Sequence, residues 1–459
     1  MFFTIYIKIS FGLLMFTYLI FLMLVLLIST IKGPVPDLYT VSLAAGTYLG
    51  LLGWIVIQNR LFNRTLYRAK DKILFLVNCE LISYLFFLYL FLGIPKINLF
   101  VETQSTLCAL VLYFVGLFTF HYSSSRTEAT KHLLLLLPFT LPLLIYTLIS
   151  DTLTLFGVSL DNLPVYQLIL LSLFFAVSLI ILLPPILVRC WRCVPMEQSP
   201  LHNNLEALCA KAKFRHGGMK IWTVLNLNPT AAIVGIIPRL RYVMFTRALL
   251  NHLSPECVEA VLAHEIGHSA YHHLLKFPFI LLGMAIATML FESFVGSGIT
   301  QALSLMGASP TVALIMVFVP YALILVLYVR FVFGYFSRLF ERQADLYGLS
   351  LGIPSSTLIQ AFEEVSHAAG GIRDVPSWHH YSIGQRIEFL QKVTNNESLI
   401  NKHHRRVWRA LCTYCFFLII GLFFLSAPAF PQTQPWKTFN EIGASIESQF
   451  TQWITWPFK

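Results

Sequence analysis

Long apolar runs separated by short polar clusters dominate the chain. Stretches near 9–30, 39–59, 73–93, 103–120, 133–150, 165–188, 277–296, 311–329 and 409–428 are predominantly apolar, some of them uniformly so. A bilayer core of about 30 Å takes roughly 20 such residues in a helix, so the pattern predicts nine spans. The fourth is bordered by Glu102 and Gln104, and the fifth carries Pro138 and Pro142, where a kink is expected. The apolar stretch near the N-terminus is too long for a signal peptide and lacks a small-x-small cleavage site, which predicts a retained anchor. Near the C-terminus, Phe439, Ile442, Ile446, Phe450 and Trp453 recur at helical spacing. With Trp456, they predict a short amphipathic helix on the outer surface.

Composition agrees with the pattern. Of 459 residues, 57% are hydrophobic and 12% charged, against about 25% charged in a soluble domain. That excludes a soluble enzyme, a disordered chain and a secreted disulfide scaffold. The net charge of +10 invites a nucleic-acid reading, but the distribution of the charges answers it. With the N-terminus inside, 27 of the 32 Lys and Arg residues fall on inside segments. The basic excess is therefore a topology signal, and no nucleic-acid partner is needed. Most of the eight cysteines fall in spans or inside, where thiols stay reduced. The pairs Cys190/Cys193 and Cys412/Cys415 read as ordinary interfacial cysteines. Glu80 and Glu292, in or near spans three and seven, read as packing or interfacial residues.

The expected organisation is a six-span membrane domain over 1–188, an inside segment over 189–276 and a transmembrane hairpin over 277–329. A second inside segment over 330–408, a last span over 409–428 and an external tail over 429–459 complete it. The two inside segments hold enough soluble mass for one modest domain.

The first of them carries chemistry. Ser254 and Pro255 suit the start of a helix, and Glu256 and Glu259 favour its positive end. Within it stands His264-Glu265-Ile266-Gly267-His268. Two histidines four apart share a helical face and can reach one Zn²⁺, with Glu265 beside the metal to take a proton from water. A hydrolytic zinc takes three protein ligands and one open position. His272 is eight residues beyond His264, a rise of about 12 Å on a straight helix. It and His273 therefore read as residues of the inner interface. The better third ligand lies in Phe340-Glu-Arg-Gln-Ala-Asp345, where Glu341 and Asp345 again share a helical face. One carboxylate can bind metal while the other orients a ligand, and spacing alone leaves open which does which.

HEIGH followed, beyond a membrane hairpin, by FERQADLYG resembles the integral-membrane gluzincin metalloproteases, which include HtpX-like and CAAX prenyl endopeptidase-like enzymes. The segments 235–250 and His380-Tyr-Ser-Ile-Gly-Gln-Arg386 extend the resemblance, which covers roughly 200–395. It implies Glu341 as third zinc ligand, Asp345 as a residue behind the ligands, His380 as a donor to the oxyanion and Arg386 as the partner of Asp345. The family's Asn-Ala on the substrate-facing strand is Thr230-Ala231 here, with Asn228 two residues earlier. The Pro after the family's His is Tyr381.

The expected fold is thus an α-helical polytopic membrane protein with a mainly α zincin domain, bearing a small β-hairpin, on the cytoplasmic face. The expected function is a zinc endopeptidase with one Zn²⁺ per chain, cleaving membrane or membrane-proximal polypeptides in quality control at a bacterial inner membrane. Alternatives are CAAX-type or peptide processing, a sensor-transducer protease, and a transporter or scaffold with a decayed site.

Overall fold

The computed structural model describes residues 38–63, 77, 80–81, 101–122, 126–158, 165–224, 229–307, 316, 320–321 and 323–426. The predicted stretch 9–30 and the C-terminal tail lie outside them, as do most of 73–93 and the first part of 311–329. Two compact units divide the chain between Arg192 and Cys193.

The N-terminal unit is a set of long helices: α1 (Leu38–Asn63), α2 (Val101–Tyr122), α3 (Arg126–Leu155) and α4 (Val165–Cys190). α2 packs along α3, with α1 against α2 and α4 against α3. α3 is helical through both Pro138 and Pro142. Glu80 accepts hydrogen bonds from Gln58 (2.6 Å) and Trp54 (3.4 Å), so this acidic side chain joins helices through polar partners.

The second unit begins with β1 (Val194–Pro195), α5 (Pro200–Lys211), β2 (Met219–Trp222), β3 (Ala231–Val234) and β4 (Tyr242–Thr246). The strands form one sheet in the order β1-β2-β4-β3, with β2 and β4 parallel and β3 antiparallel to β4. The predicted hairpin is thus one edge of a four-stranded sheet. Next come α6 (Arg247–His252), α7 (Pro255–Ala270), α8 (His273–Phe291), a π-helical turn over Glu292–Gly296, and α9 (Ser297–Leu305). A second π turn over Tyr328–Phe333 leads into α10 (Gly334–Ser350). α11 (Ser355–Ala368), α12 (Ile383–Asn395) and α13 (Ser398–Ser426) follow.

The core of this unit joins the sheet to the helices. Leu205, Phe245, Val258, Leu262, Ile266, Phe362 and Ile387 are all buried in it. A second cluster, with Phe277, Phe336, Phe340 and Val407, ties α8, α10 and α13 together.

Five helical stretches among the described residues are long and apolar enough to cross a membrane: Leu133–Leu155, Leu173–Cys190, His273–Leu303, Leu323–Ser350 and Ser398–Leu425. The apolar parts of α1 and α2, Gly46–Gln58 and Leu107–Phe120, are shorter. Phe417 and Ile419 on α13 are 63% and 66% exposed, as side chains facing lipid must be. The chain is an integral membrane protein. The helix that starts at Leu323 continues without a break through Glu341, and α13 runs from polar Ser398 straight into its apolar stretch. Soluble and membrane segments share single helices here.

Candidate active site

α7 starts at Ser254, which takes the N-cap position with an extended backbone but makes no side-chain cap bond. Its N–H and hydroxyl instead meet the Glu364 carboxylate of α11, the N–H at 3.0 Å. The expected capping hydroxyl has a tertiary partner. Ten of the eleven residues of α7 from Cys257 to Gly267, all but Glu259, are buried, including His264 and Glu265.

α7 crosses α10 at Gly267. A Cβ there would stand 3.0 Å from the Ala344 Cα and 2.9 Å from the Tyr347 Cβ. The absent side chain lets the two backbones approach closely. This brings the imidazoles of α7 to the carboxylates of α10. His264 Nε2 and His268 Nε2 lie 3.6 and 3.5 Å from the Glu341 carboxylate and 3.1 Å from each other. Among the described residues, these three form the one group of His, Cys, Asp and Glu spaced to hold a metal, their ligand atoms all within 4.8 Å.

The surrounding bonds are compatible with one set of tautomers that suits a metal. Asp345 accepts from Arg386 Nε at 3.0 Å and lies 2.8 Å from His264 Nδ1. A carboxylate held by a guanidinium can only accept, so the shorter Asp345 contact suits a proton on Nδ1, although Arg386 Nη2 also lies 3.2 Å from that nitrogen; with the proton there, Nε2 turns a lone pair inward. His268 follows through a longer chain. Gln343 Nε2 donates to His404 Nδ1 (3.0 Å), and Gln343 Oε1 accepts from His273 Nε2 (3.0 Å). His273 Nδ1 is then an acceptor, 2.9 Å from His268 Nδ1, which leaves His268 Nε2 as a second inward lone pair. With these tautomers, two imidazole lone pairs and a carboxylate converge on one point. That arrangement is repulsive in itself and is resolved by a cation, so the donor set fits a metal ion of imidazole and carboxylate preference.

Electrostatics support the same state. Burial holds His268 well below the ordinary imidazole range, against the opposing pull of Glu341. Burial also works against the charge on Arg386, but Asp345 and Glu341 more than offset it and raise its pKa. Arg386 is buried, reaches Glu341 Oε2 at 3.2 Å, and rests over the Phe362 ring at 4.3 Å.

Every site residue expected from sequence falls in this unit. His264, His268, Glu341, Asp345 and Arg386 form one connected cluster. Glu265 is buried next to His264 and adds to the field on Arg386. His380 sits before α12 with Nδ1 3.0 Å from Glu341 Oε1. Tyr381, where the family has Pro, adopts a left-handed backbone (φ 67°) under the guanidinium of Arg342. Thr230 and Ala231 are buried at the start of β3, and Asn228 lies outside the described residues. The Thr246 N–H donates to the Thr230 carbonyl. Antiparallel alternation then turns the backbone groups of Ala231 and Ile233 away from β4, on the edge side of the sheet.

The reading of His273 as an interface residue needs correcting. It is fully buried and stacks on Phe340 with ring centroids 4.4 Å apart. α7 ends at Ala270, and His272 adopts a left-handed conformation (φ 54°) that reverses the chain. The straight-helix rise therefore does not apply to His273, whose ring is folded back beneath His268. Gln343 and His404 had no sequence signal. His272 is exposed.

Residues 195–414 match the sequence profile of peptidase family M48. The M48 segment contains the whole cluster described above. Among solved structures, the crystal structure of S. mikatae Ste24p is similar, with 17% identity and a TM-score of 0.49, covering 83% of this chain and 97% of that one. No curated protein matches the chain.

Proposed function

We propose that the protein is a membrane-embedded zinc endopeptidase, with His264, His268 and Glu341 as the metal ligands. The observation that carries this is the convergence of two imidazoles of α7 with a carboxylate of α10, their ligand atoms all within 4.8 Å, with Glu265 beside His264 on α7. Bound there, zinc supplies a Lewis acid for the scissile carbonyl and lowers the pKa of water. Glu265 accepts the proton of the attacking water and passes it to the leaving amine. His380 donates a hydrogen bond to the developing oxyanion, its ring moving from Glu341 toward the substrate. The outward backbone groups of Ala231 and Ile233 hold the peptide as an added strand at the β3 edge, with Thr230 fixing the strand's start. Arg386 and Asp345 hold His264 in its ligating tautomer.

The positive-inside distribution of Lys and Arg supports a cytoplasmic site in a bacterial inner membrane. Substrates reaching it there are membrane or membrane-proximal polypeptides, as in quality control. Purified wild-type protein is expected to carry one zinc per chain by elemental analysis, and His264→Ala none. A folded wild type without zinc would overturn the reading.

The relay behind His268 makes its own prediction. His273→Phe keeps the stack on Phe340 but removes both ring nitrogens. Zinc affinity is expected to fall about 10- to 100-fold, the usual loss for a residue behind a metal ligand. Chelator competition measures this, and unchanged affinity would mean that the relay does not act on the ligand.

A further inference from the structure

A second concavity lies between α10, α12 and α13. Its volume is about 710 Å³, within the size range of small-molecule sites. Four cations line it, Arg342 from α10 and Lys402, Arg406 and Arg409 from α13, and no Asp or Glu is among its lining residues. The rest of the wall is largely apolar, with Phe336, Phe389 and Phe417. Arg342 is held in place by aromatic faces, 4.0 Å from the Tyr381 ring and 4.6 Å from that of Phe389. Its Nε is buried with no hydrogen-bond partner among the described residues.

The setting says what this cavity meets. α13 is rich in basic residues up to Arg409 and apolar from Ala410 onward. The cations therefore stand where water gives way to lipid, and Phe417 stands on the lipid side. Basic residues at such a boundary ordinarily extend separately into water. Here two helices aim four of them at one hollow without a counter-charge. A free phosphate would satisfy the cations and leave the apolar wall empty. A zwitterionic lipid would bring a cation of its own.

We infer that this cavity binds an anionic phospholipid, its phosphate among Arg342, Lys402, Arg406 and Arg409 and an acyl chain along Phe336 and Phe417. Basic pockets between membrane helices are suited to such headgroups. The inference rests on insertion in a bilayer and not on the peptidase reading. Arg342 follows Glu341 in sequence and carries Tyr381, the neighbour of His380, so an occupied cavity borders the active site.

The test is native mass spectrometry of the full chain in non-ionic detergent, titrated with phosphatidylglycerol, with phosphatidylcholine of the same chains, or with inorganic phosphate. One phosphatidylglycerol per chain is expected, bound at least about tenfold more tightly than phosphatidylcholine and not displaced by phosphate at equal concentration. Each cation near a membrane surface contributes roughly 1 kcal/mol, about fivefold. The double variant Lys402→Gln/Arg406→Gln should thus weaken phosphatidylglycerol about 25-fold while keeping wild-type zinc content. Equal binding of the two lipids overturns the inference, as does displacement by phosphate. So does wild-type affinity in the double variant. If that variant fails to fold, the comparison of lipids on the wild type still decides. A zinc-free wild type would sink the peptidase reading and leave this comparison intact.

Discussion

Glu265→Gln is expected to bind zinc as the wild type does and to lose peptide hydrolysis by about 10²- to 10⁴-fold, the range for a general acid-base group. The amide is isosteric with the carboxylate, and Glu265 is not among the three groups that converge on the metal position. Packing around buried α7 should therefore be unchanged. What disappears is the acceptor for the proton of water. The readout is kcat on a fluorogenic peptide beside zinc per chain. Residual turnover above a tenth of wild type, with full zinc, would show that another group accepts the proton. Loss of zinc would show that Glu265 belongs to the metal shell.

The second large effect separates the two carboxylates of α10. Glu341→Ala should abolish stoichiometric zinc, since it removes one of the three converging ligands. Asp345→Ala leaves all three but strips His264 of the acceptor on its Nδ1 and leaves the Arg386 guanidinium without its bidentate partner. Breaking a buried pair by removing one member costs about 3–5 kcal/mol. The expected result is a protein with weakened zinc affinity and a markedly lowered unfolding temperature. Asp345→Asn should recover part of the stability, because the amide oxygen still accepts from Arg386. Zinc content and thermal unfolding of the three variants check this. Retention of zinc by Glu341→Ala with its loss in Asp345→Ala would reverse the two roles.

The parts legible in sequence were those written in short-range spacing. Histidines four apart on α7 and carboxylates four apart on α10 needed only the period of a helix. The capped start of α7 was readable, although Ser254 spends its hydroxyl on Glu364, a tertiary partner no local pattern reveals. The long apolar stretches announced membrane helices, but their ends did not show. Hydropathy divides a helix at Val329 or Arg409 where the backbone continues through both positions. His273 was misplaced because its position depends on one dihedral angle, the left-handed φ of His272. Nothing in the residue type at that position demands such a turn. Gln343 and His404 were silent for a related reason. An amide and an imidazole far apart in sequence meet only after α10 and α13 have packed on Phe277 and Phe340.

The chain of contacts from His268 through His273 and Gln343 to His404 draws one residue from each of α8, α10 and α13, and each of these helices is part of a membrane-crossing stretch. During synthesis, HEIGH leaves the ribosome long before Glu341, and His404 follows later still. A nascent chain holding only the first motif has two ligands and no brace behind the second. The proposed metal site is therefore complete only when segments far apart in the order of synthesis have come together. A fragment that ends before α13 lacks His404, and with it the far end of this chain of contacts.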